Sequence, residues 1–514
     1  MRIPLLGGAS LAAVLVATPA LAQPPAGNAQ ILDRLNALEQ RLDALQTQNA
    51  DLKRQLDAAR GGQATAAAPG GTNSASNANA QGTAGINPPL PAAASGGRGT
   101  VQTASATPPA LQWTIVPQFN SPDGNFTFKP RGILDVDYAA FNERRGGYDY
   151  SNGTQIRRGR FGFDGTLFKE LAYRIEAEYV GGQVSLLDAF VAYTQVPHLT
   201  VTLGQLKVPA GLEANSSDAF NEFMERGMAN VAFGSVGGER RVGLTVAYAD
   251  PIFTATGGIY GSNEGVSRSA SVNAGGEGFG PDEVWGFNGR VTAEPINKPG
   301  RLLHVGASAY HVEDYAGKDL TIADRPNVRV DNGNLESVAF AGTQSATALG
   351  ATVHDATFYG FEGAGVYGPF SVQGEYSHMH LNRIGDVLPS VDFDGWYAFG
   401  SYFLTGESRP FKGGVIDRLK PNRPFDPRKG NWGAFELAGR YDRLNLTDHD
   451  ISPLKRDGHA ITAALNWYLT GNVKILFNYI RFTGQNSPLV RTPVSIFGTT
   501  AKGEAFATRL HLDF

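Results

Sequence analysis

From about residue 113 onwards, short stretches of the chain alternate apolar with polar or small residues. Leu171, Tyr173, Ile175, Ala177 and Tyr179 fall on one side of an extended chain, with Arg174, Glu176 and Glu178 on the other. A period of two is that of a strand. The split recurs where Gly132, Leu134, Val136 and Tyr138 oppose Arg131, Asp135 and Asp137, and where Val242, Leu244, Val246 and Tyr248 oppose Arg241 and Thr245. It recurs again in Trp285, Phe287 and Val291 against Asn288 and Arg290, and in Ile461, Ala463, Leu465, Trp467 and Leu469 against Thr462, Asn466 and Tyr468. Gly, Asn, Asp and Pro punctuate the segments. A soluble sandwich also alternates. Here the apolar side often begins or ends in an aromatic residue, and the other side carries charges of both signs, as expected at membrane interfaces and in a wet lumen. The pattern predicts an all-β fold, a transmembrane antiparallel β-barrel over residues 111–514. About 400 residues at one strand per about 22–26 gives roughly 16 strands, an even number as in bacterial barrels.

The final segment sets Phe506, Thr508, Leu510, Leu512 and Phe514 against Arg509, His511 and Asp513. It resembles the recognition strand of bacterial outer-membrane proteins, which makes Phe514 the candidate barrel-assembly signal.

The N-terminal region has a different character. Arg2, the apolar run Leu5–Val16 and the Ala20-Leu21-Ala22 site read as an export signal over residues 1–22, with the mature chain beginning at Gln23. No cysteine follows, which excludes lipoprotein processing. No later segment is apolar for the length a membrane helix needs, so a membrane location requires a barrel. Over residues 23–60, Ile31, Leu38, Leu45 and Leu52 take one position of a 4-3 repeat, and Leu35, Leu42, Asn49 and Leu56 take the other. That seam predicts a short α-helical coiled coil preceding the barrel, with Asn49 fixing register. Leu35, Leu38, Leu42, Leu45, Asn49 and Leu52 are its candidate oligomerisation residues. Residues 61–110 are rich in Ala, Gly, Ser, Thr, Asn and Pro and read as a flexible linker.

Composition narrows the chemistry. The chain has no cysteine, which removes disulfides, thiolate metal sites and cysteine nucleophiles. A formal net charge of −4 gives no basic field for nucleic acid. The histidines lack metal-ligand spacing. His378 and His380 share one strand face and read as a chance or lumen-lining pair. No compact Ser/His/Asp arrangement suggests an enzyme, and no cofactor or metal is expected.

Several motifs carry a family resemblance. Arg157-Arg158-Gly159-Arg160-Phe161-Gly162-Phe163-Asp164-Gly165 with Leu167-Phe168-Lys169 is similar to the phosphate-selective porin O and P family. So are Gly204-Gln205-Leu206-Lys207, Gly211-Leu212-Glu213, Ser216-Ser217, Met224-Glu225-Arg226, Arg241-Val242-Gly243, the Trp396–Glu407 stretch, Gly433–Glu436, Arg440-Tyr441-Asp442 and Asn466-Trp467-Tyr468. The resemblance covers roughly residues 115–514. It implies a 16-stranded homotrimeric porin of the bacterial outer membrane, with inward loops and an arginine ladder that draws anions. Residue by residue, Arg131 matches the family's first-strand arginine and Arg157 and Arg158 its paired arginines. Arg226 matches the constriction-loop arginine, Arg325 an arginine of a second inward loop, and Asp188 an acidic residue near the binding site. Ala214 departs from the pattern: phosphate-binding members carry a lysine directly after Gly-Leu-Glu.

The residues make their own case beside the resemblance. Arginine stays charged and offers oxyanions a planar fork. Alternation places Arg131, Arg158, Arg160, Arg174, Arg241, Arg290, Arg440 and Arg509 on the lumen side, where charges concentrate counter-ions. The alternative is that they pair with lumen carboxylates and stiffen the barrel, as Arg174 near Glu176 and Arg440 near Glu436 suggest. The expected function is passive diffusion of small anions, phosphate-like oxyanions and polar solutes. The other expectations weighed are a structural tether to the cell wall through the coiled coil, and a barrel hydrolase.

Overall fold

The computed structural model describes residues 54, 110–113, 116–145, 148–237, 239–261, 285–313, 319–340, 353–383, 388–489 and 500–514. The export segment, the heptad residues and residues 61–109 lie outside these. Among the described residues, sixteen antiparallel strands form one closed barrel. They are β1 Thr127–Arg145, β2 Gly153–Leu167, β3 Leu171–Val180, β4 Gln183–Tyr193, β5 Leu199–Lys207, β6 Arg240–Ala249, β7 Phe253–Tyr260 and β8 Gly286–Lys298. The second half comprises β9 Arg301–Val312, β10 Val353–Tyr367, β11 Phe370–Arg383, β12 Val391–Phe403, β13 Ala434–Asn445, β14 Asp457–Tyr468, β15 Val473–Gln485 and β16 Thr500–Asp513. A short hairpin of Ala110–Trp113 and Pro117–Asn120 leads into β1. Among the described residues no helix is long and apolar enough to cross a membrane. The strands cross instead, and closure leaves no unpaired edge in lipid.

The seam joins β16 to β1, with His511 opposite Asp135 and Arg509 opposite Asp137. Phe514 extends it: its N–H donates to the Gly132 carbonyl and its carbonyl accepts from the Gly132 N–H, both at 3.0 Å. A Cβ on Gly132 would lie 2.6 Å from the Phe514 ring, so the ring packs directly over this glycine.

The outer wall follows the expected alternation. Leu134, Val136 and Tyr138 are exposed while Asp135 and Asp137 are buried. On β10 to β12, Phe361, Tyr376 and Trp396 stand side by side in register, and Tyr367, Phe370 and Tyr402 form a second row. Six residues separate the rows, about 20 Å along a strand, so with the strand tilt of such barrels both rows fit within the outward apolar face of about 25 Å and its aromatic borders.

His378 and His380 correct the sequence reading. They lie on the outer wall, partly exposed, and both contact Asp392 of the neighbouring strand (2.9 and 2.8 Å). The two-residue step fixed their shared face but not its direction.

Connections differ at the two ends. The end that carries Thr127 and Phe514 has mostly tight turns. Between β8 and β9 it is Pro299-Gly300, with Gly300 at φ 70°, as the third position of a type II turn demands. The exception at this end is the long segment 404–433, whose small ribbon pairs Phe411–Lys412 with Val415–Ile416. From the other end, two segments of the described residues enter the barrel. Residues 208–239 carry α1 (Leu212–Asn215), a 3-10 turn at Asp218–Phe220 and α2 (Met228–Gly237). Residues 319–340 form a ribbon pairing Leu320–Asp324 with Glu336–Phe340.

The core therefore lies inside the barrel. Met228, Ala232, Phe233 and Val236 of α2 pack among Tyr310, Phe358, Met379, Phe393, Ile322 and Phe340. Towards this end the strands are apolar on both faces, because the inward face meets a helix and a ribbon instead of water.

One ribbon residue carries a pH prediction. The Glu336 side chain is buried against Gly458 and Gly484. Burial, with Asp457 beside it, pushes its carboxyl up to about 9. A carboxyl whose folded value is raised gives its full stabilisation below the unfolded value and loses it as pH rises through the folded one. The melting temperature of the wild type should therefore fall relative to Glu336→Gln between pH 5 and pH 9. Parallel curves would show that Glu336 ionises as freely in the fold as out of it.

Candidate functional site

The inward segment 208–239 is held by its backbone. The N–H groups of Leu212 and Glu213 both donate to the Glu375 carboxylate of β11, at 3.0 and 2.7 Å. Gly211, at φ 79°, permits this approach: a Cβ there would lie 2.3 Å from a Glu375 oxygen. Glu213 accepts from the N–H of Gly227 and the side chain of Asn230, folding the segment back on itself. Asp442 of β13 accepts the Met228 N–H at the start of α2. Across the lumen, wall side chains donate to a run of carbonyls: Lys474 to Asn221 (2.7 Å), Asn466 to Glu222 (2.8 Å), Arg509 to Met224 and Arg440 to Glu225 (2.9 Å). From the opposite end, the Ile416 N–H of segment 404–433 donates to Ser216 Oγ at 3.2 Å. Arg409 pairs with both Glu222 and Glu436, and Arg418 lies over the Phe220 ring at 5.2 Å. Inward segments from both ends thus meet at residues 216–222.

Against this constriction the wall presents a chain of arginines, each paired with carboxylates. Arg131 bonds Glu176 (2.8 Å) and Asp164 (3.3 Å). Arg174 continues to Asp164 (3.3 Å) and Asp188 (3.9 Å), and Asp188 takes Arg240 at 2.8 Å. Glu239 links Arg240, Lys207 and Arg226. Asp218 receives Arg160 (2.6 Å), Arg226 (2.8 Å) and Arg158 (3.4 Å). Burial alone would raise the Asp218 carboxyl, but Arg158, Arg226 and Arg160 hold it well below the usual carboxylate range. Glu178 also takes Arg160, at 2.9 Å. Arg158 bonds Asp135 at 2.9 Å. Glu225 then gathers Arg157 (2.8 Å), Arg509 (2.9 Å), Arg329 (3.4 Å) and Arg158 (4.0 Å). A small cavity is lined by Arg131, Arg160, Arg174, Lys207 and Arg240, with Ser217, Asp188 and Asp218.

The structure brings Arg131, Arg157, Arg158, Arg160, Arg226 and Asp188 into this one network. Arg325 lies beside it, its guanidinium donating to the Arg329 carbonyl at 3.3 Å. Two candidates stand elsewhere. Arg241 bonds the carbonyls of Gly261 and Gly237, and Arg290 bonds Glu362 and the Gly414 carbonyl. The pairings suggested for Arg174 and Arg440 are replaced by others: Arg440 lies near Asp442 (3.5 Å) and Glu213 (3.6 Å), while Glu436 is taken by Arg409. For Arg174 the reason is strand geometry. Arg174 stands directly opposite Asp164 on the adjacent strand, and cross-strand neighbours are closer than residues two apart on one strand. At Ala214, where the family pattern has lysine, the backbone carbonyl accepts from Lys207 Nζ at 3.1 Å. Sequence reasoning missed Lys207, Arg240, Arg329, Arg409, Glu213 and Glu375. Lys207 and Glu213 lie inside quoted motifs, but no spacing rule reaches across a barrel.

A closed sixteen-stranded barrel with aromatic girdles, a charged lumen and inward loops is the architecture of an outer-membrane porin. The model of the phosphate-selective porin O and P family matches residues 128–514, and the chain belongs to that family. Porin O of Pseudomonas aeruginosa is 28% identical over 397 residues, covering 70% of this chain and 83% of that one. An uncharacterized protein of Caulobacter vibrioides is 29% identical over 436 residues, covering 84% of this chain and 82% of that one. Among solved structures, in-vitro folded OmpT of Vibrio cholerae superposes with a TM-score of 0.47 at 12% identity, covering 76% of this chain and 98% of that chain. The chain is a porin of the outer membrane.

Proposed function

We propose that this porin conducts small anions, with oxyanions passing along the arginines from Arg131 through Arg160, Arg226, Arg158 and Arg157 to Arg325. The observation that carries this is the continuity of the ladder from Arg131 to Arg157: with Arg174 and Arg240 as intermediate rungs, successive guanidiniums share bridging carboxylates at Asp164, Asp188, Glu239, Asp218 and Glu225, and Arg325 lies beside its end. A carboxylate and a small oxyanion present the same geometry to a guanidinium fork. An ion can therefore take over one partner after another, and sites in series let it leave again. In this reading residues 23–60 are a coiled coil that supports a homotrimer, and residues 61–110 connect it to the barrel.

The full-length protein in a planar bilayer under a potassium chloride gradient should give a reversal potential on the chloride side of zero. Added phosphate should reduce the chloride current. Potassium preference would overturn the anion reading. The pairing of the ladder arginines with carboxylates favours a second reading, diffusion of uncharged polar solutes. A reversal potential at zero with rapid sugar entry into proteoliposomes would select it.

A further inference from the structure

We propose that Glu225 is a tethered counter-anion, occupying the position that the arginine cluster offers to a permeating oxyanion and setting selectivity by competing for it. This rests on the anion-conducting reading above and goes beyond it.

The geometry is that of an occupied oxyanion site. Arg157 grips both Glu225 oxygens, Nε to Oε1 at 2.8 Å and Nη2 to Oε2 at 3.1 Å. Arg509 adds 2.9 Å to Oε1 and Arg329 adds 3.4 Å to Oε2. The other arginines also have wall or ribbon acids: Asp137 for Arg509, Asp135 for Arg158 and Asp324 for Arg329. Arg157 differs. Among the described residues, Glu225 is its one carboxylate within 4.0 Å. It is also the open side of the cluster, with 26% of its side chain exposed against 4% for Arg158 and Arg509.

The carboxylate can leave without unfolding the loop. The carbonyls of Met224 and Glu225 are held by Arg509 and Arg440, so the backbone stays in place while the side chain changes rotamer. Burial alone would favour the neutral acid, but Arg157, Arg158, Arg509 and Arg329 hold the carboxyl well below the usual range. The group is therefore charged at any working pH. A competitor on the same chain has a high effective concentration. If it fills the site about nine-tenths of the time, a free anion binds about tenfold more weakly than to the empty site.

Glu225→Gln keeps the shape and removes the charge. In bilayers of the full-length protein, it should raise the chloride-to-potassium permeability ratio several-fold. It should also lower the phosphate concentration that halves the chloride current by about tenfold. The same ratio and the same phosphate block in a folded, heat-modifiable E225Q barrel would overturn the proposal. Should E225Q fail to assemble, Glu225→Asp decides: it withdraws the carboxylate from Arg157 by one methylene and should shift both readouts the same way by less, and no shift overturns the proposal. The double variant E225Q/R157Q should return the ratio towards wild type, and a ratio as high as that of E225Q alone would deny that the freed Arg157 is the source. The two readings fail separately. A cation-selective wild type removes the anion assignment, whereas an anion-selective wild type with an unresponsive E225Q removes only the role of Glu225.

Discussion

Replacing Arg509 by alanine is expected to destabilise the barrel by about 3–5 kcal/mol, the cost of breaking a buried ion pair from one side. Its guanidinium bonds both oxygens of Asp137 at 2.7 Å, Glu225 at 2.9 Å and the Met224 carbonyl. Arg509 and Asp137 stand opposite each other on β16 and β1, the pair of strands that closes the barrel. Alanine would leave Asp137 buried with no cation and free the loop carbonyl at the same time. The pair matters less as a pair than each half does alone: Arg509→Met with Asp137→Leu removes both charges and should cost less than the single change. Urea unfolding in lipid vesicles, followed by the heat-modifiable gel shift, measures both. A single variant as stable as wild type would mean that the seam is held by its backbone ladder alone, and a double variant weaker than the single would mean that Asp137 left without Arg509 carries no penalty.

The barrel was legible in the sequence because each lipid-facing position must be apolar and each seam position must pair. Leu134, Val136 and Tyr138 could not face water, nor Asp135 and Asp137 face lipid. One sequence could not reveal that the Phe514 ring lies over Gly132 on the neighbouring strand. The site was only half legible. Strand alternation put Arg131, Arg158, Arg160 and Arg509 in the lumen, where they are found. It could not say which acids they meet, since partners such as Asp137 and Arg509 lie on the first and last strands. The inward segments were harder. In α2 the small residues Ala229, Ala232 and Gly237 leave a weak helical stripe, and its partners Phe358, Met379 and Phe393 lie on strands that look simply apolar. Gly237 itself faces the Tyr310 ring, which a Cβ there would approach to 2.8 Å. That close packing has no periodic signature.

Excising the constriction, with residues 210–237 replaced by an Asn-Gly turn, should change conduction more than any point substitution. Lys207 and Arg240 are already paired in register at the mouth of the segment, so a short hairpin can join β5 to β6 without disturbing the ladder below. A sixteen-stranded barrel without its loop is wide enough for an aqueous channel, and single-channel conductance should rise several-fold. Selectivity should move as well. The excised stretch contains four carboxylates, Glu213, Asp218, Glu222 and Glu225, and one cation, Arg226. The wall arginines that they neutralise, Arg157, Arg158, Arg160 and Arg509, would remain and face water. Anion preference should therefore increase even as the pore widens, whereas mere widening would weaken any preference. Thermal stability should drop, because Met228, Phe233 and Val236 no longer fill the upper lumen. Unchanged conductance would assign the constriction to the ribbon 319–340 and the segment 404–433 instead. A wider pore with lost anion preference would mean that the loop carboxylates screen nothing a permeating ion can feel.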